Sequence, residues 1–346
     1  MKRKESVIVG ISVGDLNGIG PEIIIKAYED PRSLELSTPV IFASDKTMQF
    51  FKNHFKSKIN FFSIDSPEKV AIGKVNVVNV WKEAVKIDFG KEDKKTGEYA
   101  IKSLEAATNA LKDGAIDVLV TAPINKHNIQ SEKFNFPGHT DYLAKALNGK
   151  SLMFMVSNSL RVGLLTDHVP LKDASETITT DLINEKIATV IKSLKQDFGI
   201  IRPKVAVLAI NPHAGDNGVI GNEDDLVLKP ALEKIKSEGH LVYGPYSADS
   251  FFGSNTYKKF DAIIASYHDQ GLIPFKTIAF GEGVNYTAGL SKVRTSPDHG
   301  TAYEIAGKGI ADEGSMKQAI FTAIQIFRSR EDYDFYGKNP LKKQSR

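Results

Sequence analysis

The chain contains no cysteine. Disulfides, thiolate nucleophiles and every cysteine-based zinc or iron–sulfur site are therefore excluded, and any metal must be held by histidine, carboxylate, amide or backbone oxygen. It also lacks a block of one charge sign: 45 basic and 42 acidic side chains are spread along 346 residues, for a formal net charge of +3. Without a basic patch or stripe there is no footprint for nucleic acid. No stretch reaches the roughly 20 consecutive apolar residues that a membrane span requires. The start is basic at Lys2, Arg3 and Lys4, but the apolar run that follows is short, is broken by Gly10 and Gly14, and meets Asp15. It reads as a first strand and not as a signal peptide, so a cytoplasmic, reducing compartment with no membrane partner is expected. Internal repeats, low-complexity segments and an obvious interdomain linker are absent too.

What is present is ordinary for a folded globular chain: 41% apolar and 25% charged residues, with 19 Phe and 11 Tyr to fill cores. The length exceeds the roughly 250–300 residues at which a single core stops growing, so two domains and a cleft are expected. Short β-branched runs alternate with helical periodicity throughout. Strands are expected at Val7 to Val13, Val40 to Ala43, Val75 to Val80, Ile116 to Val120, Leu152 to Val156, Val162 to Leu165, Val205 to Ile210 and Ala262 to Ser266. Helices are expected from Pro21, over Gly97 to Lys112, Asp181 to Gln196, Asp224 to Ser237 and Met316 to Phe327. That alternation predicts an α/β fold of parallel sheets covered by helices. The missing linker implies domains that are interwoven and not strung in series. The basic tail from Tyr336 to Arg346 reads as a mobile end.

Three of the eight histidines follow apolar strands directly: His168 in Thr166-Asp167-His168, His213 in Asn211-Pro212-His213, and His268 in Tyr267-His268-Asp269. Ligands collect at the carboxyl ends of strands in open α/β sheets, so these imidazoles are placed to converge. Three neutral imidazoles with nearby carboxylates suit a divalent metal that keeps positions open for substrate oxygen. Any one of them alone reads more readily as a loop residue satisfied by ordinary hydrogen bonds, and it is the shared position of the three that favours a common site. His54 and His240, in helical or charged surroundings, read as such residues.

Gly14-Asp15-Leu16-Asn17-Gly18-Ile19-Gly20-Pro21-Glu22 joins the first strand to a helix whose first turn holds Pro21 and Glu22. It is not the dinucleotide fingerprint, and no acidic residue at the usual distance completes one. Pro137-Gly138-His139-Thr140-Asp141 opens another helix, which makes either an anion site or a Thr N-cap. Lys276, Asn285 and Arg294 place two cations and an amide in one loop-rich region, as phosphate or carboxylate recognition needs. Asp298-His299-Gly300-Thr301-Ala302 is read as leading into a short helix that ends near Gly307-Lys308-Gly309, a helix start able to receive a nucleotide.

Taken in order, GDLNGIGPE, TAPINK, PGHTDYLA, TDHVPL, NPHAGD, YHDQGL, GVNYTAGL and RTSPDHGTAYEIAGKG span Gly14 to Gly309. The ordered set resembles the 4-hydroxythreonine-4-phosphate dehydrogenase family, the pyridoxal phosphate biosynthesis branch of the isocitrate/isopropylmalate dehydrogenase-like fold. One departure is Asp141, where many members carry Glu, a chemically mild change. Met155 to Asn158 follow no motif.

The resemblance implies two interwoven α/β/α domains with the active site in the interdomain cleft. The first, on the nucleotide side, is residues 1–125 plus 295–346; the second, carrying metal, substrate and dimer contacts, is 126–294. It implies that His168, His213 and His268 hold a divalent metal (zinc, cobalt or magnesium), with the third ligand contributed across a homodimer interface. It implies substrate contacts from His139, Thr140, Lys276, Asn285 and Arg294. Asp249 and Asp269 match acidic positions near the metal, as general base or ligand orienter, and Lys126 is a further candidate for proton transfer. NAD or NADP would bind the His299-Gly300-Thr301 segment, with Gly14 and Asp15 beside it. The activity implied is NAD-dependent oxidation of 4-phosphohydroxy-L-threonine at C3, followed by decarboxylation. The alternatives are a paralogue acting on phosphorylated threonate or erythronate and, in another class, a histidine-metal hydrolase.

Overall fold

A computed structural model describes residues 6–131, 134–136 and 138–338 of the chain. In chain order its strands are β1 (Val7–Ser12), β2 (Ser37–Ala43), β3 (Phe61–Ile64), β4 (Val75–Asn79), β5 (Val118–Thr121), β6 (Leu152–Val156), β7 (Arg161–Leu164), β8 (Lys204–Leu208), β9 (Leu241–Tyr246), β10 (Ala262–Ala265), β11 (Val284–Ala288) and β12 (Val293–Pro297). The helices are α1 (Gly20–Ala27), α2 (Ser33–Leu36), α3 (Asp45–His54), α4 (Lys94–Asp113), α5 (His139–Ala146), α6 (Leu171–Thr177), α7 (Thr180–Gln196), α8 (Lys229–Ser237), α9 (Ala248–Gly253), α10 (His268–Ile278) and α11 (Gly314–Gly337). None among the described residues is long and apolar enough to cross a membrane.

Contacts divide the chain into two compact units, Met1–Ser151 with Val284–Ile324, and Leu152–Gly283 with Gln325–Arg346. In the first unit the strands run β3-β4-β2-β1-β5-β12-β11. All are parallel except β11, which returns antiparallel to β12. Every residue of β2 and β5 is buried, the run expected of strands covered on both faces. Helix α4 starts where the Asp93 carboxylate accepts the Lys95 N–H, a cap that extends it beyond the expected residues. Its buried Ser103 accepts from Val13 N and donates to the Phe42 carbonyl, which stitches the helix onto two strands.

In the second unit the order is β6-β7-β10-β8-β9, with only β6 antiparallel to its neighbour. Helix α7, capped by the Thr179 hydroxyl, buries Ile183, Ile187, Val190, Ile191 and Leu194, one face at helical spacing. The core of this unit packs Met155, Val162, Leu208, Phe251, Ile263 and Phe275 together.

Three expectations change. The expected boundaries at 125 and 294 do not follow the contacts: the described residues of 126–151 and 284–294 pack in the first unit and those of 325–338 in the second. A cut before residue 295 would sever β12 and the hairpin it makes with β11, where Tyr286 pairs with Thr295. The loop-rich region is not loop: Asn285 and Arg294 stand on β11 and β12, and Lys276 on α10. Burial of polar and apolar residues alike along β12 erased the alternation that would have marked a strand. The short helix after Asp298 is a succession of turns, because Ala302, Gly307 and Gly309 adopt positive φ of 45°, 76° and 73°. Of the tail from Tyr336 to Arg346, only the residues to Lys338 lie among those described, and the first of them complete α11.

Within the second unit α11 is tied down by Arg330, whose Nε donates to Asp197 Oδ1 at 2.6 Å, with both side chains largely buried. Replacing Arg330 with alanine leaves the Asp197 carboxylate inside without its cation. Urea denaturation of Arg330→Ala is expected to show a stability loss of about 3 kcal/mol.

Candidate active site

In the second unit, the parallel strands β7, β10, β8 and β9 lie side by side and deliver one ionisable group each just beyond their carboxyl ends. These are His168 after β7, His268 at the first position of α10, His213 after β8, and Asp249 in the first turn of α9. His168, His213 and Asp249 are exposed and His268 is half-buried. The rings of His168 and His268 lie 6.3 Å apart between centroids. Two imidazoles sharing one zinc-sized ion through nitrogens at 2.0–2.1 Å would have centroids roughly 5–6 Å apart. His268 Nδ1 lies 2.7 Å from the Asp269 carboxylate, a contact that fixes the ring and directs Nε2 outward, as a metal-ligating histidine requires.

His213 does not join them. Among the described residues no three His, Asp or Glu side chains come close enough for one ion. The reason is positional, since β8 and β7 flank β10 and neighbours of this kind stand about 10 Å apart across it. His213 also sits on unusual backbone: His213, Ala214, Gly215, Asp216 and Asn217 all have positive φ, between 44° and 81°. A left-handed turn costs roughly 1–2 kcal/mol per non-glycine residue and persists only where its surroundings enforce it. Lys276 lies two turns along α10 from His268, exposed.

In the first unit, a second group of the expected residues forms around Arg294, one of the largest fully buried side chains. Its guanidinium meets only hydroxyls: Nη2 and Nε reach Thr121 Oγ1 at 2.5 and 3.2 Å, and Nη1 reaches Thr287 Oγ1 at 3.1 Å. No carboxylate among the described residues neutralises it. Burial lowers its pKa to about 9, which still leaves a cation at neutral pH. His139, at the start of α5, is held neutral well below its ordinary range, first by burial and then by the charges of Arg294 and Lys126. The Lys126 stem runs past Gly138, which is the N-cap of α5; Thr140 therefore stands in the first turn and is not the cap.

Three expected residues of this unit hold atoms sealed from water with no partner among the described residues: His139 Nε2, Asn285 Oδ1 and His299 Nε2. Buried polar groups are nearly always paired, so these three atoms have hydrogen-bonding capacity that the described residues do not use. Ser12 Oγ is sealed in the same way, and Ser12 pairs in register with Thr121, the hydroxyl that receives Arg294. Sequence reasoning passed over Ser12, Thr121 and Thr287. The available signal was a hydroxyl residue on an otherwise apolar strand.

The glycine-rich segment after β1 packs against the turns that follow Asp298. Gly14 turns at φ 71°, and a Cβ there would stand 2.3 Å from the Pro123 carbonyl. Asp15 is buried at 1% exposure. Its Oδ1 accepts from Asn17 N, and its Oδ2 accepts from Tyr303 OH at 2.7 Å and from Asn128 Nδ2. Burial, followed by that carboxylate, pushes the Tyr303 phenol above its usual range. Ile19 N donates to the Thr301 carbonyl, while a Cβ on Gly18 would come within 2.9 Å of the same oxygen. Farther along, Glu22 accepts from Ala311 N, and Lys26 Nζ donates to the carbonyls of Gly309 and Ala311. His54, read as an ordinary residue, contacts the Gly307 carbonyl through Nε2 at 2.8 Å. The segment thus grips residues 301–311 from below, and Gly300 stays exposed with open space above it.

Comparison with known proteins follows the same pattern. Residues 35–323 match the family described as pyridoxal phosphate biosynthetic protein PdxA. A 4-hydroxythreonine-4-phosphate dehydrogenase of Bacteroides thetaiotaomicron is 48% identical over 343 residues, covering 99% of this chain and 94% of that protein. One from a Sulfurihydrogenibium species is 39% identical over 326 residues, covering 94% of this chain and 100% of that protein. The crystal structure of a 4-hydroxythreonine-4-phosphate dehydrogenase from Klebsiella pneumoniae matches at a TM-score of 0.80 and 31% identity, over 94% of this chain and 98% of that one.

Two outcomes test the site as built. Asp15→Ala strands the Tyr303 hydroxyl and the Asn128 amide inside, and urea denaturation is expected to show a loss of about 2 kcal/mol. Unchanged stability would mean that Asp15 does not hold the loop. His139 gives a pH dependence: a folded-state pKa below the unfolded value means the unfolded chain binds more protons, so its contribution is intact above about pH 6.5 and lost as pH falls. Between about pH 7 and 5 the stability of the protein should fall more steeply than that of His139→Asn.

Proposed function

We propose a reaction for this chain from one premise: it belongs to the 4-hydroxythreonine-4-phosphate dehydrogenases, oxidoreductases of pyridoxal phosphate biosynthesis. The reaction is oxidation of 4-phosphohydroxy-L-threonine at C3 by NAD, followed by loss of the carboxylate, which yields 3-amino-1-hydroxyacetone 1-phosphate. The observation that carries it is Arg294: a buried guanidinium whose partners among the described residues are hydroxyls, beside a neutral imidazole and Lys126, suits a dianionic phosphate. Asn285 and the first turn of α5, with Thr140, complete the polar contacts to that end of the substrate. Lys276 is assigned to a further anionic group of the substrate.

His168, His268 and His213 are the residues that would hold a divalent ion, zinc or cobalt before magnesium on the chemistry of nitrogen ligands. Bound together, the ion supplies a Lewis acid toward the substrate's amino and C3-hydroxyl groups and the NAD a hydride acceptor. Asp269 orients the His268 ring. Asp249 takes the C3-hydroxyl proton as the hydride leaves carbon, since Asp269 is already engaged with His268, and Lys126, an ammonium, is the donor of the proton that later returns to carbon. The 3-keto acid so formed draws in the electron pair of the breaking carbon–carbon bond, carbon dioxide departs, and a proton returns to carbon. The His299-Gly300-Thr301 segment receives NAD, or NADP, and Gly14 and Asp15 contribute by holding that segment from behind.

The ligand set is completed by a second copy of the chain. Two findings support this: a single chain assembles only two of the three histidines, and the segments that carry them expose large apolar side chains at Leu171, Val219, Leu226, Ile273 and Phe280. Exposed apolar groups around an incomplete polar site are what a homodimer interface covers.

The test follows NADH absorbance with 4-phosphohydroxy-L-threonine and, in parallel, with phosphorylated threonate and erythronate. Turnover of the amino acid phosphate, abolished by chelation and by His213→Ala, is expected. Turnover of the sugar acids alone would move the chain to that substrate class, and phosphate release without NADH would make it a hydrolase. Arg294→Met should raise KM for the substrate by about 100-fold or more, the effect of leaving a desolvated phosphate without its cation.

A further inference from the structure

We infer that Asp224 is a positioning residue that fixes the left-handed turn presenting His213, with Glu223 as its second hold; this rests on the metal reading above. Asp224 is fully buried, yet its carboxylate has no cation partner in its hydrogen bonds. Its two oxygens accept the backbone N–H groups of Ile210 and Asn211, each at 2.9 Å. These are the last two amides before Pro212, which has none to give, and His213 follows at once. The neighbouring Glu223 accepts from Asn211 Nδ2 at 2.7 Å. Two consecutive carboxylates therefore clamp one residue by its main chain and its side chain.

Beyond the clamp, five successive residues from His213 to Asn217 hold positive φ, an arrangement that L-residues leave unless something enforces it. Gly215, buried inside this turn, packs so closely on the Gly221 carbonyl that a Cβ would stand 2.5 Å from it, and Asp224 Oδ2 lies just behind. Asp224 also opens a wide π-type turn, Asp224–Leu228, before α8. Such turns recur where a helix is adjusted to a functional task. A charge at this depth, spent on two amides at the foot of a strained loop, makes sense if the loop must hold one imidazole still.

The experiment is cobalt(II) titration of the full-length protein, followed by visible absorption and calorimetry, for the wild type and four variants. Asp224→Asn keeps the shape but turns an amide donor toward one of the two N–H groups. It is expected to weaken cobalt binding by roughly 10–100-fold, the usual effect of disturbing a ligand's support. Glu223→Ala, at a half-exposed position, should weaken it by a smaller factor while remaining folded, and it carries the test if Asp224→Asn does not fold. Asp197→Asn, equally buried in the same unit but far from the turn in sequence, is expected to lose stability and bind cobalt as the wild type does. Wild-type affinity in both Asp224→Asn and Glu223→Ala, or an equal loss in Asp197→Asn, overturns the inference. His213→Ala separates the two levels: if the wild type takes up no cobalt, or His213→Ala binds it equally well, the metal reading itself falls and the positioning role with it.

Discussion

Parallel strands end together, and most of the candidate chemistry of this protein follows from that constraint. In each unit the strands share one direction apart from a single antiparallel member, so their carboxyl ends, with the residues that follow, line one edge of the sheet. Groups far apart in sequence, such as His168, His213, Asp249 and His268, are thereby delivered to one edge of the sheet without any local motif joining them, and His168 and His268 become neighbours. Since most positions on the inner strands are apolar and buried, polar function gathers at these ends. The few exceptions, Arg294 and Thr121 above all, are polar groups inserted into the sheet, and they carry the strongest sign of a ligand.

A cation buried against hydroxyls is costly, because hydroxyl dipoles return only part of the hydration it has lost. The fold tolerates Arg294 by surrounding it with Thr121 and Thr287 and keeping His139 neutral, an arrangement that gains when an anion arrives. The glycine-rich segment after β1 answers a complementary need. Residues 301–311 form turns with positive φ and cannot support themselves as a helix would. Asp15, Ile19, Glu22 and Lys26 add external hydrogen bonds to the few turn bonds the segment makes within itself. The same logic governs His213, where strain in the backbone is offset by two carboxylates, buried Asp224 and half-exposed Glu223.

The alternation of β-branched runs with helical periodicity was enough to read the α/β class and most strands, because period and run length survive in one dimension. The order of the motifs pointed to the family. Less was legible where burial hides pattern: β11 and β12 looked like loops because their polar residues are buried beside apolar ones, and the turns after Asp298 looked helical because nothing local signals the positive φ of Ala302. The histidines were legible as strand-end residues, but not which of them would meet.

The sequence by itself therefore determined the chemistry on offer: no thiols, imidazoles after strands, cations and amides for an anion, and glycines where the backbone turns hard. Only the tertiary structure decided how those groups are used. Strand order set His168 beside His268 and left His213 apart, and burial made Arg294 a cation held by hydroxyls and Asp15 a clamp for Tyr303. The physical reason is that composition and spacing specify which groups a chain carries, whereas distance and desolvation, which decide what a charged group does, are properties of the packed molecule.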